Sequence, residues 1–223
     1  MEFEDLLIKS KWNILKELSK GEKSAVEIAK KTNQSIANVT QQLQLLEAYN
    51  LVKKTKQEKQ KKPGKPKTPY ALNQEIVSLS MLKPGIAEKK ILKLKEADDC
   101  HKCLLNIFFL LKPEDHYYLI KFIYETDMIK KADTITYLKS DDKEIEIMII
   151  TEHVKDVREK HSNISIQGLD AKTKKIISWS HNKKEIEEGL ERKEEYFINL
   201  VKNSKEIIDK KNNLKELREK YNL

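Results

Sequence analysis

Ser35-Ile36-Ala37-Asn38-Val39-Thr40-Gln41-Gln42-Leu43-Gln44-Leu45-Leu46-Glu47-Ala48-Tyr49-Asn50-Leu51-Val52 is the stretch whose reading decides the fold. Ser35 suits an N-cap, and Ile36, Val39, Leu43 and Leu46 recur at helical spacing, which predicts a helix with those four side chains inward. Asn50 stands where the helix should end in left-handed geometry, because Asn tolerates positive φ better than most residues other than glycine. Upstream, Lys11 to Lys20 places Ile14, Leu15 and Leu18 on one face, with Trp12 nearby, and Gly21 suits a stop. Ser24 and Glu27 form a capping-box pattern ahead of a second short helix containing Val26, Ile28 and Ala29, and Thr32-Asn33-Gln34 makes the turn that follows. Downstream, Leu51 to Thr55 and Thr68 to Asn73 read as short strands. They flank a loop that Pro63, Gly64 and Pro66 keep from being helical.

Helix, helix, turn, helix and a hairpin with a basic tip is the order of a winged helix-turn-helix. Residues 35 to 52 resemble the recognition helix of ArsR/MarR-type archaeal and bacterial regulators. They match the pattern small-x-x-x-Val-Ser/Thr-x-x-Leu-x-x-Leu-Glu-x-x-Gly-Leu-Val nearly throughout, with Asn50 in place of the family glycine. The resemblance covers about the first 80 residues. It implies a DNA-binding domain whose third helix enters the major groove.

Charge places the contact. The chain carries 44 Lys and Arg against 36 acids, a net of +8, and only Arg158, Arg192 and Arg218 are arginines. Residues 1 to 80 hold 15 Lys and 9 acids, and eight of those lysines lie between Lys53 and Lys67. On the third helix Gln34, Ser35, Ala37, Asn38, Thr40, Gln41, Gln42 and Gln44 are left to face a ligand. Asn and Gln pair bidentately with adenine and a methyl group touches thymine, whereas guanine is most often read by Arg. The expected partner is therefore double-stranded DNA of A/T-leaning sequence. Lys53, Lys54, Lys56, Lys59, Lys61, Lys62, Lys65 and Lys67 should lie along phosphates or the minor groove, giving affinity and salt dependence with little base information.

Other classes are set aside. The densest apolar run, Leu104 to Leu111, is far shorter than the roughly 20 residues of a membrane span. The mixed charges of the first eleven residues leave no signal-peptide core, so a cytoplasmic protein without membrane contact is expected. Cys100 and Cys103 are too few for a disulfide scaffold. As Cys-x-x-Cys they allow a redox switch, zinc shared with a second subunit, or two partly buried thiols on a helix. No metal or cofactor is expected, and the five scattered histidines read as surface residues.

The remainder predicts linking helices over 81–112, including an amphipathic helix from Ile86 to Asp98 and a buried one from Cys103 to Leu111. An α+β domain follows over 113–223, giving an α+β protein overall with a small mixed sheet in its C-terminal part. Pro113 should open a helix with Tyr118, Leu119, Phe122 and Ile123 on its apolar face. The period then shifts to 2 at Thr134 to Leu138 and Glu144 to Ile150. The order of elements is similar to the minimal nucleotidyltransferase fold, but Lys139-Ser140 replaces the family Gly-Ser and Glu144-Ile145-Glu146 replaces Asp-x-Asp. These departures point to a degenerate, non-catalytic domain of that kind or to an unrelated domain that senses a ligand or dimerises. Ser204 to Tyr221 has heptad-like Ile207, Leu214, Leu217 and Tyr221, for pairing two subunits into a homodimer or packing on its own domain. The reading is a sequence-specific transcriptional regulator. Its rivals are a nucleic-acid-associated nucleotidyltransferase with Glu144 and Glu146 as metal ligands, and a winged-helix protein-interaction module.

Overall fold

The computed structural model describes residues 3–55 and 68–223. They fall into two compact units, Met1–Glu96 and Ala97–Leu223.

In the first unit a 3-10 turn, Phe3–Leu7, precedes α1 (Lys9–Leu18), β1 (Lys23–Ser24), α2 (Ala25–Thr32) and α3 (Ile36–Ala48). The strands β2 (Val52–Lys54) and β3 (Pro69–Leu72) follow, then β4 (Ile76–Lys83) and β5 (Ile86–Lys93). Local chemistry sets the boundaries. The Ser24 hydroxyl accepts from the Glu27 amide at 3.4 Å while the Ser24 amide donates to the Glu27 carboxylate at 2.8 Å, so the capping box closes in both directions. Asn33 and Asn50 take φ of 52° and 59°, ending α2 and the turn after α3 without glycine. The strands order as β1-β3-β2, all antiparallel. The core gathers Leu6, Ile14, Leu18, Ile28, Val39, Leu43, Leu46, Leu51, Val52 and Tyr70.

Ile36 departs from the inward set, with 51% of its surface exposed. It is the first residue of α3, and a helical side chain leans toward the N-terminus. It therefore overhangs the start of the helix instead of covering a preceding turn.

The helix expected from Ile86 to Asp98 is instead strand β5 as far as Lys93, paired antiparallel with β4 through eight registered positions, followed by a 3-10 turn, Leu94–Glu96. Pro84-Gly85 makes the two-residue connection, and Gly85 adopts φ 82°. Proline followed by a residue at positive φ is the requirement of a type II turn, which glycine meets without strain. Of the apolar residues expected on that helical face, Ile91 and Leu92 instead face Ser78 and Val77 across the hairpin, and Leu94 falls in the 3-10 turn.

The second unit runs α4 (Asp99–Leu110), α5 (Pro113–Glu125), α6 (Met128–Lys131), β6 (Thr134–Ser140), β7 (Glu144–Ile150), α7 (Val154–His161), β8 (Asn163–Gln167) and β9 (Thr173–His181). It closes with α8 (Lys183–Glu191), α9 (Glu195–Asn203), β10 (Lys205–Asp209) and α10 (Asn213–Tyr221). The sheet order is β10-β6-β7-β9-β8, with β7 and β9 parallel and the other pairs antiparallel. The molecule is thus a mixed α/β protein with small sheets.

Strand alternation splits the core of this unit in two. Ile145, Ile147 and Ile149 of β7 pack with Cys103, Ile107, Leu119 and Phe122, while Met148 and Ile150 pack with Ile186, Leu190, Val201, Leu214 and Leu217. Helices therefore cover both faces of the sheet. Gly189 of α8 lies against the Phe197 ring so closely that a Cβ would sit 2.0 Å from it, which permits α8 and α9 to touch.

Two further expectations are corrected. The Cys103 to Leu111 helix is not buried throughout, since Phe108 and Phe109 are 63% and 59% exposed. Only Cys103, Ile107 and Leu111 reach the core, because a helix on a sheet buries one stripe. The 204–221 stretch is not a continuous heptad helix. Ile207 and Ile208 belong to β10, and Asp209 restarts the chain by accepting the amides of Asn213 and Leu214 at 2.9 and 3.0 Å. The described residues include no helix long and apolar enough to cross a membrane.

Candidate nucleic-acid interface

Helix α3 is held by Val39, Leu43 and Leu46, all fully buried, which fixes the opposite face outward. Its N-terminus is capped by the Ser35 hydroxyl, which accepts from the Asn38 amide at 3.2 Å. Ser35, Ala37, Gln41 and Gln44 are exposed, and Gln34, Asn38, Thr40 and Gln42 are half-buried.

The half-buried amides form a ladder along the helix. Asn38 Nδ2 donates to Gln34 Oε1 at 2.9 Å, and Gln42 Nε2 donates to Asn38 Oδ1 at 3.4 Å. Gln42 Oε1 is shielded from solvent and has no donor among the described residues. A bidentate contact to adenine needs a free N–H and a free lone pair on one amide. Asn38 has both, since each of its two groups is used once. Each ladder bond contributes about 0.2–0.5 kcal/mol on a helix surface, against about 1–3 kcal/mol for a bidentate base contact, so a base edge outcompetes the ladder. The Thr40 hydroxyl back-bonds to the Ile36 carbonyl at 2.8 Å, leaving its methyl as the group available for contact.

The two described lysines of the basic run differ. Lys53 is exposed on β2, whereas Lys54 pairs with Glu47 at 2.9 Å and sits 5.9 Å from the Tyr70 ring centroid. The hydrogen bond to Glu47 raises the Lys54 pKa. Lys56, Lys59, Lys61, Lys62, Lys65 and Lys67 lie outside the described residues.

The unit boundary sharpens the charge argument. Residues 1–96 hold 20 Lys against 11 acids, a net of +9, while residues 97–223 hold 24 bases against 25 acids, a net of −1. The whole positive excess therefore belongs to the unit that carries α3.

In the second unit the two carboxylates expected as metal ligands in the transferase reading are engaged otherwise. Glu146 pairs with Lys139 at 3.0 Å and accepts from the Trp179 indole at 3.2 Å, and Glu144 lies 3.9 Å from Lys175. The contact with Glu146 raises the Lys139 pKa. Among the described residues no group of three His, Cys, Asp or Glu is placed to hold a metal ion. Cys100 and Cys103 lie one turn apart on α4 and are free thiols. Cys103 is fully buried, and burial pushes its pKa up to about 12, so the thiolate that metal binding or disulfide exchange requires is strongly disfavoured. Cys100 Sγ lies 2.6 Å from the Tyr124 hydroxyl.

Two constellations escaped the sequence. Asp115, fully buried in the first turn of α5, accepts from Lys174 Nζ at 2.6 Å and from the Ser140 hydroxyl at 2.5 Å; Lys174 also donates to the Asp141 carbonyl at 2.8 Å. Lys174 also lines a cleft of about 750 Å³, together with Tyr117, Tyr118, Gly168 and Lys172.

The second centres on His181, whose side chain is 12% exposed, correcting its reading as a surface residue. Its Nδ1 lies 3.2 Å from Glu185 and its Nε2 2.9 Å from the Tyr196 hydroxyl. Arg158 Nη2 is 3.3 Å from Nδ1, yet its two protons go to the closer Ser180 carbonyl and Glu185, at 2.8 and 2.9 Å. His181 Nδ1–H therefore donates to Glu185, and Nε2 accepts from Tyr196. Burial lowers the His181 pKa, which favours this neutral form. Glu185 lies four positions after His181, but the other partners lie 15 to 59 positions apart, and no local spacing signals those.

The family model HVO_A0114 matches residues 6–71 of the chain. No curated protein matches it significantly.

Proposed function

We propose that the first unit is a winged helix-turn-helix and that the chain is a sequence-specific DNA-binding transcriptional regulator. Helix α3 enters the major groove, reading A/T-leaning sequence with Asn38, Gln41 and Gln44, while Gln42, its Oε1 shielded from solvent, holds the amide ladder, and the lysine run from Lys53 to Lys67 tracks phosphates. The observation that carries this reading is the charge partition: a net of +9 falls on the unit whose capped helix turns an amide face outward, and −1 on the other. Polyanion attraction without arginine supplies affinity through lysine and leaves base discrimination to Asn and Gln.

The second unit acts in this reading as a non-catalytic sensor. The ion pairs of Lys139 with Glu146 and of Lys175 with Glu144 support that role, since each carboxylate has a cation where a metal-dependent transferase needs it open.

Selection of fragments from random DNA by the purified chain tests the proposal. A/T-rich sequences should be enriched, and binding should weaken steeply with salt. Enrichment of G/C-rich sites refutes the base preference, and retention of no DNA at low salt refutes the function. Magnesium-dependent transfer of label from ATP overturns the sensor assignment.

A further inference from the structure

The β4–β5 hairpin stands as a separate two-stranded sheet, with β5 the one neighbour of β4 among the described residues. Val77 is buried at its base, but every residue from Ser78 to Ile91 is exposed, including Leu79 at 37%, Met81 at 55% and Leu82 at 87%. An isolated two-stranded hairpin is at best marginal in water, and a third strand or more is needed for stability.

The two outer edges differ in charge. Strand β5 carries Glu88, Lys89, Lys90 and Lys93, and charged side chains, lysine especially, blunt an edge against further pairing. Strand β4 reads Ile76-Val77-Ser78-Leu79-Ser80-Met81-Leu82 without a charge before Lys83. Its free backbone groups and apolar side chains are left unguarded.

We propose that β4 joins two copies of this chain, pairing antiparallel with β4 of a second copy about a two-fold axis to give a four-stranded sheet β5-β4-β4-β5. Charge favours a second copy as the occupant. With the axis through Leu79, Leu79 meets its own copy, Ser78 meets Ser80, Val77 meets Met81 and Ile76 meets Leu82, each pair on one face of the sheet. Each Lys83 then faces Glu75, just ahead of β4 in the other copy, an opposite-charge pair at either end of the seam. The same operation on β5, about Lys89 or Lys90, would set that lysine against its own copy, which like-charge repulsion disfavours. A two-fold contact is self-complementary and closes at two subunits, so it caps an edge that would otherwise template open-ended pairing. The inference does not depend on DNA binding.

Sedimentation equilibrium of the full chain at micromolar concentration tests it. Twice the chain mass of 26.2 kDa is expected. Ser78→Lys/Ser80→Lys, which puts four new positive charges into one seam, should give the single-chain mass with an unchanged circular dichroism spectrum. Glu88→Lys, on the other strand, should remain dimeric. A single-chain mass for the wild type, or a dimer that survives the paired lysines, overturns the proposal. Should the double variant unfold, Ser80→Cys in a Cys100→Ser/Cys103→Ala chain decides: a short bismaleimide should link two copies efficiently, and failure to link them overturns it.

Discussion

Replacing Asn38 with alanine separates base reading from stability. The side chain makes two bonds in the α3 ladder, at 2.9 and 3.4 Å, together about 0.4–1 kcal/mol. Alanine returns roughly half a kcal/mol through higher helix propensity. The N-cap survives, because the Ser35 hydroxyl accepts from the backbone amide of residue 38 and not from its side chain. Net stability should therefore change by less than about 1 kcal/mol, a few degrees at most in the melting of the first unit. If Asn38 reads adenine, its loss removes about 1–3 kcal/mol of discrimination, roughly 5- to 150-fold in Kd on the selected site. Binding to scrambled DNA of equal length should hold within about twofold, since phosphate contacts are untouched. Fluorescence anisotropy on both duplexes at one salt concentration gives the two numbers. Equal loss on both, or no loss on either, refutes base reading by this helix.

Glu47→Gln should free Lys54 and tighten DNA binding at low salt, and adding Lys54→Gln should cancel the gain; titration across salt checks this, with a slope change of about 0.9 per lysine. Asp115→Ala leaves the Lys174 ammonium nearly buried without its carboxylate and should cost about 3–5 kcal/mol, whereas Asp115→Leu with Lys174→Met should recover most of it in calorimetry of the second unit. His161 and His181 have folded pKa values lowered by burial from the ordinary 6.5, so the unfolded chain takes up protons first; stability should be full above pH 6.5 and fall as pH drops toward the depressed values. His181→Gln should flatten that decline in urea melts across the range. Cys103, held protonated to about pH 12, should resist a thiol reagent at neutral pH in the native chain and react on unfolding, as absorbance titration will report.

The sequence by itself determined what depends on neighbours within a turn or two. The Ser24 and Glu27 box, the Ser35 cap, the left-handed Asn50, and the buried set of Val39, Leu43 and Leu46 all follow from spacings of three to seven residues. Such spacings are dictated by helix geometry before any tertiary contact forms. The β5 error shows the limit of that logic. Ile86, Ile91 and Leu92 suit a helix as well as a strand when read singly, and only the turn chemistry of Pro84-Gly85 with the facing run Ile76 to Leu82 separates them. Heptad spacing misled over 204–221 for the same reason, since Ile207 belongs to strand β10, at the register shift between Glu206 and Ile208, and not to a helix continuing to Tyr221.

Only the tertiary structure decided which charges are free and which are taken. It assigned all the positive excess to residues 1–96, engaged Lys54 with Glu47, and brought Asp115 to Lys174 across 59 positions of chain. A carboxylate's partner is set by where strands and helices cross, and sequence spacing carries no information about that distance. Periodicity thus forecast the helix that turns its amides outward, and the fold determined which of those amides, and which lysines, are left free for a partner.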